Sequence, residues 1–392
     1  MKKQLKELIT QTRGVSYKAT DVTDKSNGIP ILRANNIQEE GINLENLIYV
    51  SPTKIHDEQY LKKGDIIICT SSGSKNIVGK ASAYNKDIKA SFGAFCKVVR
   101  VNSSSEIHRE FIQKYFQSKI YRNSISKLSI GANINNIKSE HIGNLEINVP
   151  PLPEQKKIAA HLDSIQNAID SKKKQLDCLD ELVKSKFTEM FGENPAESGK
   201  WKVEKIENLG TLKNGINFSP FEKGYTLNCL NVSDFKDNYK ILDCTVLNKV
   251  DLNSEPPEDY FLKNEDIVFV RSNGNKNLVG RCVAVYPYNS KTVYSGFCIR
   301  FRKESKELST DFILHFLKTE KTREKIQGKG ASIQNLTQQI LNSVKVPIPP
   351  LALQVQFASY VQKIDSAKDI VKSQLKDLRE LLDSNMNSYF GE

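Results

Sequence analysis

The 392-residue sequence predicts an α+β chain in which two mixed α/β globules alternate with two long helices. Three observations predict it. Segments of the first half recur about 200 positions later, the mark of an internal duplication. In each copy the first part carries short β-rich runs between Gly, Asn and Ser clusters. In each copy the last part carries a long heptad of apolar residues.

The duplication can be followed along the chain. LITQTRGVSY (8–17) returns as LGTLKNGINF (209–218), with Gly14 over Gly215 and Tyr17 over Phe218. GDIIICTSSGSKNIVGK (64–80) returns as EDIVFVRSNGNKNLVGR (265–281). There Asp65, Gly73, Lys75, Asn76, Val78 and Gly79 recur 201 positions later as Asp266, Gly274, Lys276, Asn277, Val279 and Gly280. GAFCKVVRV (93–101) matches SGFCIRF (295–301), GANINNI (131–137) matches GASIQNL (330–336), VPPLPEQ (149–155) matches IPPLALQ (348–354), and MFGE (190–193) matches YFGE (389–392). The units are therefore 1–193 and 194–392, each a globule (1–150, 194–347) and a helical segment (151–193, 348–392).

Within the globules, IPILRANNI, NLIYV, DIIICTS, FCKVVRV, DIVFVRS, RCVAVYPY and FCIRF read as strands. REFIQKYFQSKIYRNSIS (109–126) and TDFILHFLKTEKTREKI (310–326) read as helices. Asp65 and Asp266 read as turn residues ahead of their strands.

The first long helix follows Pro150-Pro151-Leu152-Pro153, which bars helix before it and suits a start just after. Its seam is Ile158, Leu162, Ile165, Ile169, Leu176, Leu179 and Val183, continuing to Phe187 and Met190, with a gap at Lys172. The second seam is Phe357, Val361, Ile364, Val371, Leu375, Leu378 and Leu382, continuing to Met386, with its gap at Lys368. One apolar stripe must be buried, and the other copy is the economical partner in an intramolecular coiled coil. Periodicity leaves parallel and antiparallel open. At roughly 37 residues each helix spans about 55 Å.

Charge follows the same division. Residues 1–150 hold 22 basic and 14 acidic side chains, and residues 192–350 hold 23 and 19. The helical segments 151–191 and 351–391 are each neutral, so the positive charge belongs to the globules, and Glu392 brings their +12 to the net +11. Two basic globules on a neutral spacer point to a polyanion partner. No apolar run approaches the ~18 residues of a membrane span, and the start, MKKQLKELITQTRG, lacks a signal-peptide core. No membrane association is expected. The seven cysteines lack CxxC spacing and stand far from scattered histidines, which suits buried free thiols in a reducing cytoplasm and no metal site.

The loop TSSGSKN and its counterpart RSNGNKN carry the side chains that bind phosphates and base edges. The second polar loop, GANINN or GASIQN, has similar chemistry. The candidate DNA contacts are Ser72, Ser74, Lys75, Asn76, Lys80, Asn133 and Asn135 in the first unit. In the second they are Arg271, Asn273, Asn275, Lys276, Arg281 and Gln334. Gly73 and Gly274 permit tight turns or close approach to a sugar–phosphate strand. No catalytic residue is assigned: the sequence has no GxxxxGK[ST], GxSxG or HExxH and no Asn-Pro-Pro-Tyr-type tetrapeptide. A binder is expected, not an enzyme; the alternative is a coiled-coil scaffold whose basic globules bind RNA or another acidic partner.

The phrase PPLPEQKKIAAHLDSIQNAIDSKKKQLDCLDELVKSKFTEMFG (150–192) resembles the signature of the specificity subunit of type I restriction–modification systems. WKVEKIENLGTLKNG (201–215) is similar to the opening of a target-recognition domain in that family, and the likeness extends over the whole chain. The first globule lacks the opening Trp, and PPLALQVQF lacks the Pro-Glu pair. The resemblance implies that each globule is a target-recognition domain reading one half of a split DNA sequence, and that the helices pack antiparallel as a spacer. It also implies double-stranded DNA, two modification subunits and restriction subunits as partners. S-adenosylmethionine and ATP with Mg would sit on those partners, and no cofactor on this chain. A spacer of about 55 Å matches about 16 base pairs, and unlike loop letters imply an asymmetric target.

Overall fold

Two helices of 40 residues, Leu152–Phe191 and Leu351–Phe390, organise the computed structural model. It describes residues 1–38, 41–74, 76–102, 106–130, 136–235, 239–327 and 335–391. The chain forms two compact units, Met1–Lys174 with Lys372–Glu392, and Gln175–Val371. Each unit thus takes one globule, part of the helix that follows it and part of the other helix.

This sharing sets the helix direction. In the first unit, Ile158 and Leu162 from the start of the first helix share a core with Met386 and Phe390 from the end of the second. In the second, Val183, Phe187 and Phe191 share a core with Phe357 and Val361. Early residues meet late ones, so the helices are antiparallel. Of the seam residues, Ile158, Leu162, Ile165, Ile169, Val183, Phe357, Val361, Val371 and Leu375 are buried. Leu176, Leu179, Ile364, Leu378 and Leu382 are half-buried. At the heptad gap of the second helix, Lys368 Nζ reaches Asp180 across the pair at 2.5 Å.

Both helix ends are anchored by residues of the repeated motifs. Gln155 is fully buried: Nε2 donates to the carbonyls of Pro150 and Glu106 (both 2.8 Å), and Oε1 accepts from His108 N–H (2.9 Å). Gln354 repeats this with Pro349, Glu307 and Ser309. The glutamine is therefore the working residue of PLPEQ and PLALQ, and the missing Pro-Glu pair costs the second copy none of these bonds. At the other end, the Phe before the closing glycine enters a globule. Phe390 lies 5.2 Å from the Phe111 ring and Phe191 4.7 Å from Phe312. Trp201 Nε1 caps the first helix by donating to Phe191 O at 3.4 Å.

Each globule has two main sheets. In the first unit, Ile9–Arg13, Cys96–Val101, Ile66–Cys69 and Ala81–Ala83 form an antiparallel sheet in that order. The second unit repeats it with Gly210–Asn214, Cys298–Lys303, Asp266–Val270 and Cys282–Val285, and adds Lys240–Ile241 at the edge. The central strands IIIC and DIVFV are buried throughout, as continuous apolar runs require. A smaller sheet holds Ile29–Leu32 and Ile48–Val50 in one unit and Tyr225–Leu230 and Lys249–Leu252 in the other. The two sheets approach at Gly14 and Gly215, where an added Cβ would lie 2.1 Å from the carbonyl oxygen of Gly93 or Ser295.

Three expectations are revised. The helices read at 109–126 and 310–326 are each two helices, Arg109–Gln117 with Lys119–Ile130 and Thr310–Lys318 with Glu320–Gln327. Ser118 and Thr319 adopt extended backbone between them, and the Ser118 hydroxyl donates to Tyr115 O at 2.6 Å while accepting from Tyr121 N–H. Asp65 and Asp266 do close turns, on Lys62 and Lys263 N–H. They are also buried partners of Arg100 and Arg302, each held by two bonds of 2.6–2.9 Å. Of the seven free cysteines six are buried, but Cys178 on the first helix is exposed. Burial pushes the Cys69 and Cys96 thiols up, so these cross-strand neighbours stay protonated.

Candidate nucleic-acid interface

In each unit a buried strand delivers the polar loop and a second polar segment closes beside it. Ser71 forms an antiparallel bridge with Asn136, and Ile137 N–H donates to Thr70 O at 2.7 Å. Ser272 bridges Asn335, and Leu336 N–H donates to Arg271 O at 2.7 Å. The last residue of the second polar segment, Asn136 or Asn335, therefore meets the base of the first loop in both units. A third segment joins them. The Phe95 carbonyl accepts from Thr70 and Ser71 N–H, and the Phe297 carbonyl accepts from Arg271 and Ser272 N–H.

The candidate contact residues occupy this rim unequally. Ser74 and Asn76 are exposed, and Ser72 and Lys80 half-buried. Ser72 Oγ accepts from Ser74 N–H at 3.2 Å, which shapes the turn. In the second unit Asn275 and Lys276 are exposed, and Arg271, Asn273 and Arg281 half-buried. Asn273 Oδ1 accepts from Asn275 N–H (2.8 Å), and Asn275 Oδ1 accepts from Asn277 N–H (3.0 Å). These carbonyls fix the loop, and the Nδ2 hydrogens remain the groups suited to phosphate or purine acceptors. Arg271 Nη1 donates to Gly296 O at 3.3 Å, so this guanidinium also braces the third segment. Lys75, Asn133, Asn135 and Gln334 lie outside the described residues.

The loops are held from behind by arginines that the sequence reading did not single out. Arg122 donates from Nη1 to Val78 O (2.8 Å) and from Nη2 to Asn76 O (3.0 Å). Arg323, 201 positions later, donates from Nη2 to Asn277 O at 3.3 Å. The common offset was the available signal. Beside them, Gly79 (φ +83°) and Gly280 (φ +74°) take the left-handed conformation that suits glycine. A Cβ at either would meet Ile125 or Ile326 at 2.6–2.7 Å. Gly73 and Gly274 differ: neither has positive φ, and a Cβ at either meets nothing within 4 Å. Neither backbone conformation nor packing requires glycine at these two positions.

No group of three or more His, Cys, Asp or Glu able to hold a metal occurs among the described residues. No helix among them is long and apolar enough to cross a membrane.

Residues 1–181 and 198–380 each match the type I restriction modification DNA specificity domain. The chain belongs to that family. It is 30% identical over 390 residues to the type I restriction enzyme StySPI specificity subunit of Salmonella potsdam, covering 94% of this chain and 82% of that protein. It is 29% identical over 392 residues to the EcoKI specificity subunit of Escherichia coli K12, with the same coverage. The fold is also found in a crystal structure of the type I restriction-modification S subunit of M. genitalium. That structure has TM-score 0.52 and 15% identity, covering 100% of this chain and 96% of that one. A second neighbour, from a study of complex assembly and conformational transition in a type I system, has TM-score 0.58 and 15% identity, covering 100% and 97%. Membership assigns the chain to DNA target recognition in a type I restriction–modification system.

Proposed function

We propose that each unit reads one half of a split, asymmetric sequence in double-stranded DNA, and that the long helices set the unread gap between the halves. The observation that carries this is one frame with two sets of letters. Both units hold the same loops between the same strands, with Ser72 and Ser74 in one where Asn273 and Asn275 stand in the other. Different hydrogen-bonding groups on one scaffold suit different base edges. The positive charge confined to the globules supplies the sequence-independent attraction to phosphates.

In this reading the chain supplies address and no chemistry. Two modification subunits, carrying S-adenosylmethionine, methylate adenine at the addressed site. Restriction subunits using ATP and Mg complete the complex, in the cytoplasm. The test is a methylation map of DNA from cells expressing this chain with its modification subunit, against cells expressing the modification subunit alone. The expected result is N6-methyladenine at a split, asymmetric motif only when the chain is present. Co-purification of the two proteins without any new motif contradicts the reading.

A further inference from the structure

We propose that Phe95 and Phe297 contact bases directly, one in each half-site, as apolar readers set beside the polar loops; this rests on the half-site reading above. Among the described residues four Phe, Tyr or Trp side chains are exposed: Phe95, Phe221, Tyr288 and Phe297. Two of the four occupy the same place in the two units. Phe95 and Phe297 are 69% and 62% exposed, although rings of this size are normally buried.

Each lies at the third position of a four-residue turn, closed by Cys96 N–H to Gly93 O and by Cys298 N–H to Ser295 O, both 2.8 Å. The turn uses the backbone of these residues. The Phe95 carbonyl accepts three bonds, from Thr70 N–H (2.9 Å), Ser71 N–H (3.1 Å) and Thr70 Oγ1 (3.1 Å). The Phe297 carbonyl accepts from Arg271 N–H (2.7 Å) and Ser272 N–H (3.3 Å). Any residue with a carbonyl could make those bonds. The fold therefore accounts for the position and leaves the ring unexplained in both units.

The surroundings select the partner. A protein-docking surface is a contiguous apolar patch. Here each ring stands at the root of a Ser-, Asn- and Lys-bearing loop in a basic globule. Among the described residues of the segments that meet here, 70–80 with 93–96 and 271–281 with 295–298, the ring is the only exposed large apolar side chain, and such a group beside phosphate and base-edge ligands fits duplex DNA. There the thymine methyl is the apolar feature of the major groove and is read by side chains such as Phe. The loops bring the hydrogen-bonding groups, and the ring adds discrimination that hydrogen bonds cannot supply.

The test is the methylation motif and duplex affinity of the assembled complex carrying Phe95→Ala or Phe297→Ala, with Phe221→Ala and Tyr288→Ala as exposed aromatic controls. Phe95→Ala is expected to relax one base-pair position in one half-site, with discrimination there falling about tenfold. Phe297→Ala is expected to do the same in the other half. Melting temperature and the slope of affinity against salt stay unchanged, because no phosphate contact is lost. The controls keep the motif. An unaltered motif and affinity in both Phe variants would overturn the proposal. So would a uniform loss across all sequences, or a failure to bind the modification subunits, which would make the rings a protein contact. A wild-type complex that produces no split motif overturns the half-site reading itself, a result distinct from a motif that survives removal of the rings.

Discussion

Replacing Arg122 by alanine tests whether the proposed recognition loop is held ready for DNA from behind. The side chain makes two bonds to the loop backbone, of 2.8 Å to Val78 O and 3.0 Å to Asn76 O. Hydrogen bonds from a charged group contribute about 1.5–3 kcal/mol each; Arg122 is half-exposed, so about 2 kcal/mol for the pair is reasonable. The loss falls on the loop and not on the whole fold. DNA must then order the loop as it binds, and about 2 kcal/mol corresponds to about 30-fold in affinity. Arg323→Ala should cost far less. It has one longer bond, 3.3 Å to Asn277 O, and its Nη1 is buried without a partner. The assay is affinity of the assembled complex for duplex bearing its own motif, over a salt series, with amide hydrogen exchange at Asn76–Lys80. Arg122→Ala should expose those amides and leave the salt slope intact, and Arg122→Lys should show most of the same loss. If Arg122→Lys binds normally and Arg122→Ala lowers the salt slope by about one, Arg122 is a phosphate ligand and the bracing argument is refuted.

Further perturbations separate fold from contact. Gly73→Ala should leave the melting temperature unchanged and weaken DNA binding several-fold, whereas Gly79→Ala should destabilise by about 1–3 kcal/mol, because its φ is +83° and Ile125 blocks the Cβ. Asp266→Asn removes the buried counter-charge of the half-buried Arg302 guanidinium and should cost about 2 kcal/mol, less than for a fully buried pair; urea titration of Asp266→Asn with Arg302→Met should recover much of it. His315 is buried against Tyr239 and Phe357 and faces Lys318, Lys240 and Lys368; burial first, then these cations, holds its imidazole well below the usual value of 6.5. Only the unfolded chain takes up the proton below pH 6.5, so stability should fall as pH drops through that value, by at most about 1.4 kcal/mol per pH unit. Melting curves of His315→Phe should lose this slope.

The duplication made much of the fold legible, because the two copies act as an alignment inside one chain. Strand runs, the Gly-rich loops and both seams follow from it. Helix direction does not, since a heptad seam reads the same parallel or antiparallel; it takes Phe390 against Phe111 and Phe191 against Phe312 to decide. Ser118 and Thr319 hid the helix breaks, because either residue costs little inside a helix and its capping role depends on the backbone it adopts. At the candidate interface the loop residues stood out by their polarity. Arg122 and Arg323 did not, as arginines on a helix are ordinary until their hydrogen bonds are seen. Phe95 was absorbed into the strand pattern FCKVVRV, although the strand begins one residue later at Cys96.

The most direct test of two independent readers is to give one unit the other's letters. Ser72→Asn with Ser74→Asn places the second unit's side chains on the first unit's loop while preserving its frame. The methylation motif of the assembled complex should then change in one half-site and stay identical in the other. A motif altered in both halves, or unaltered in either, would contradict the account.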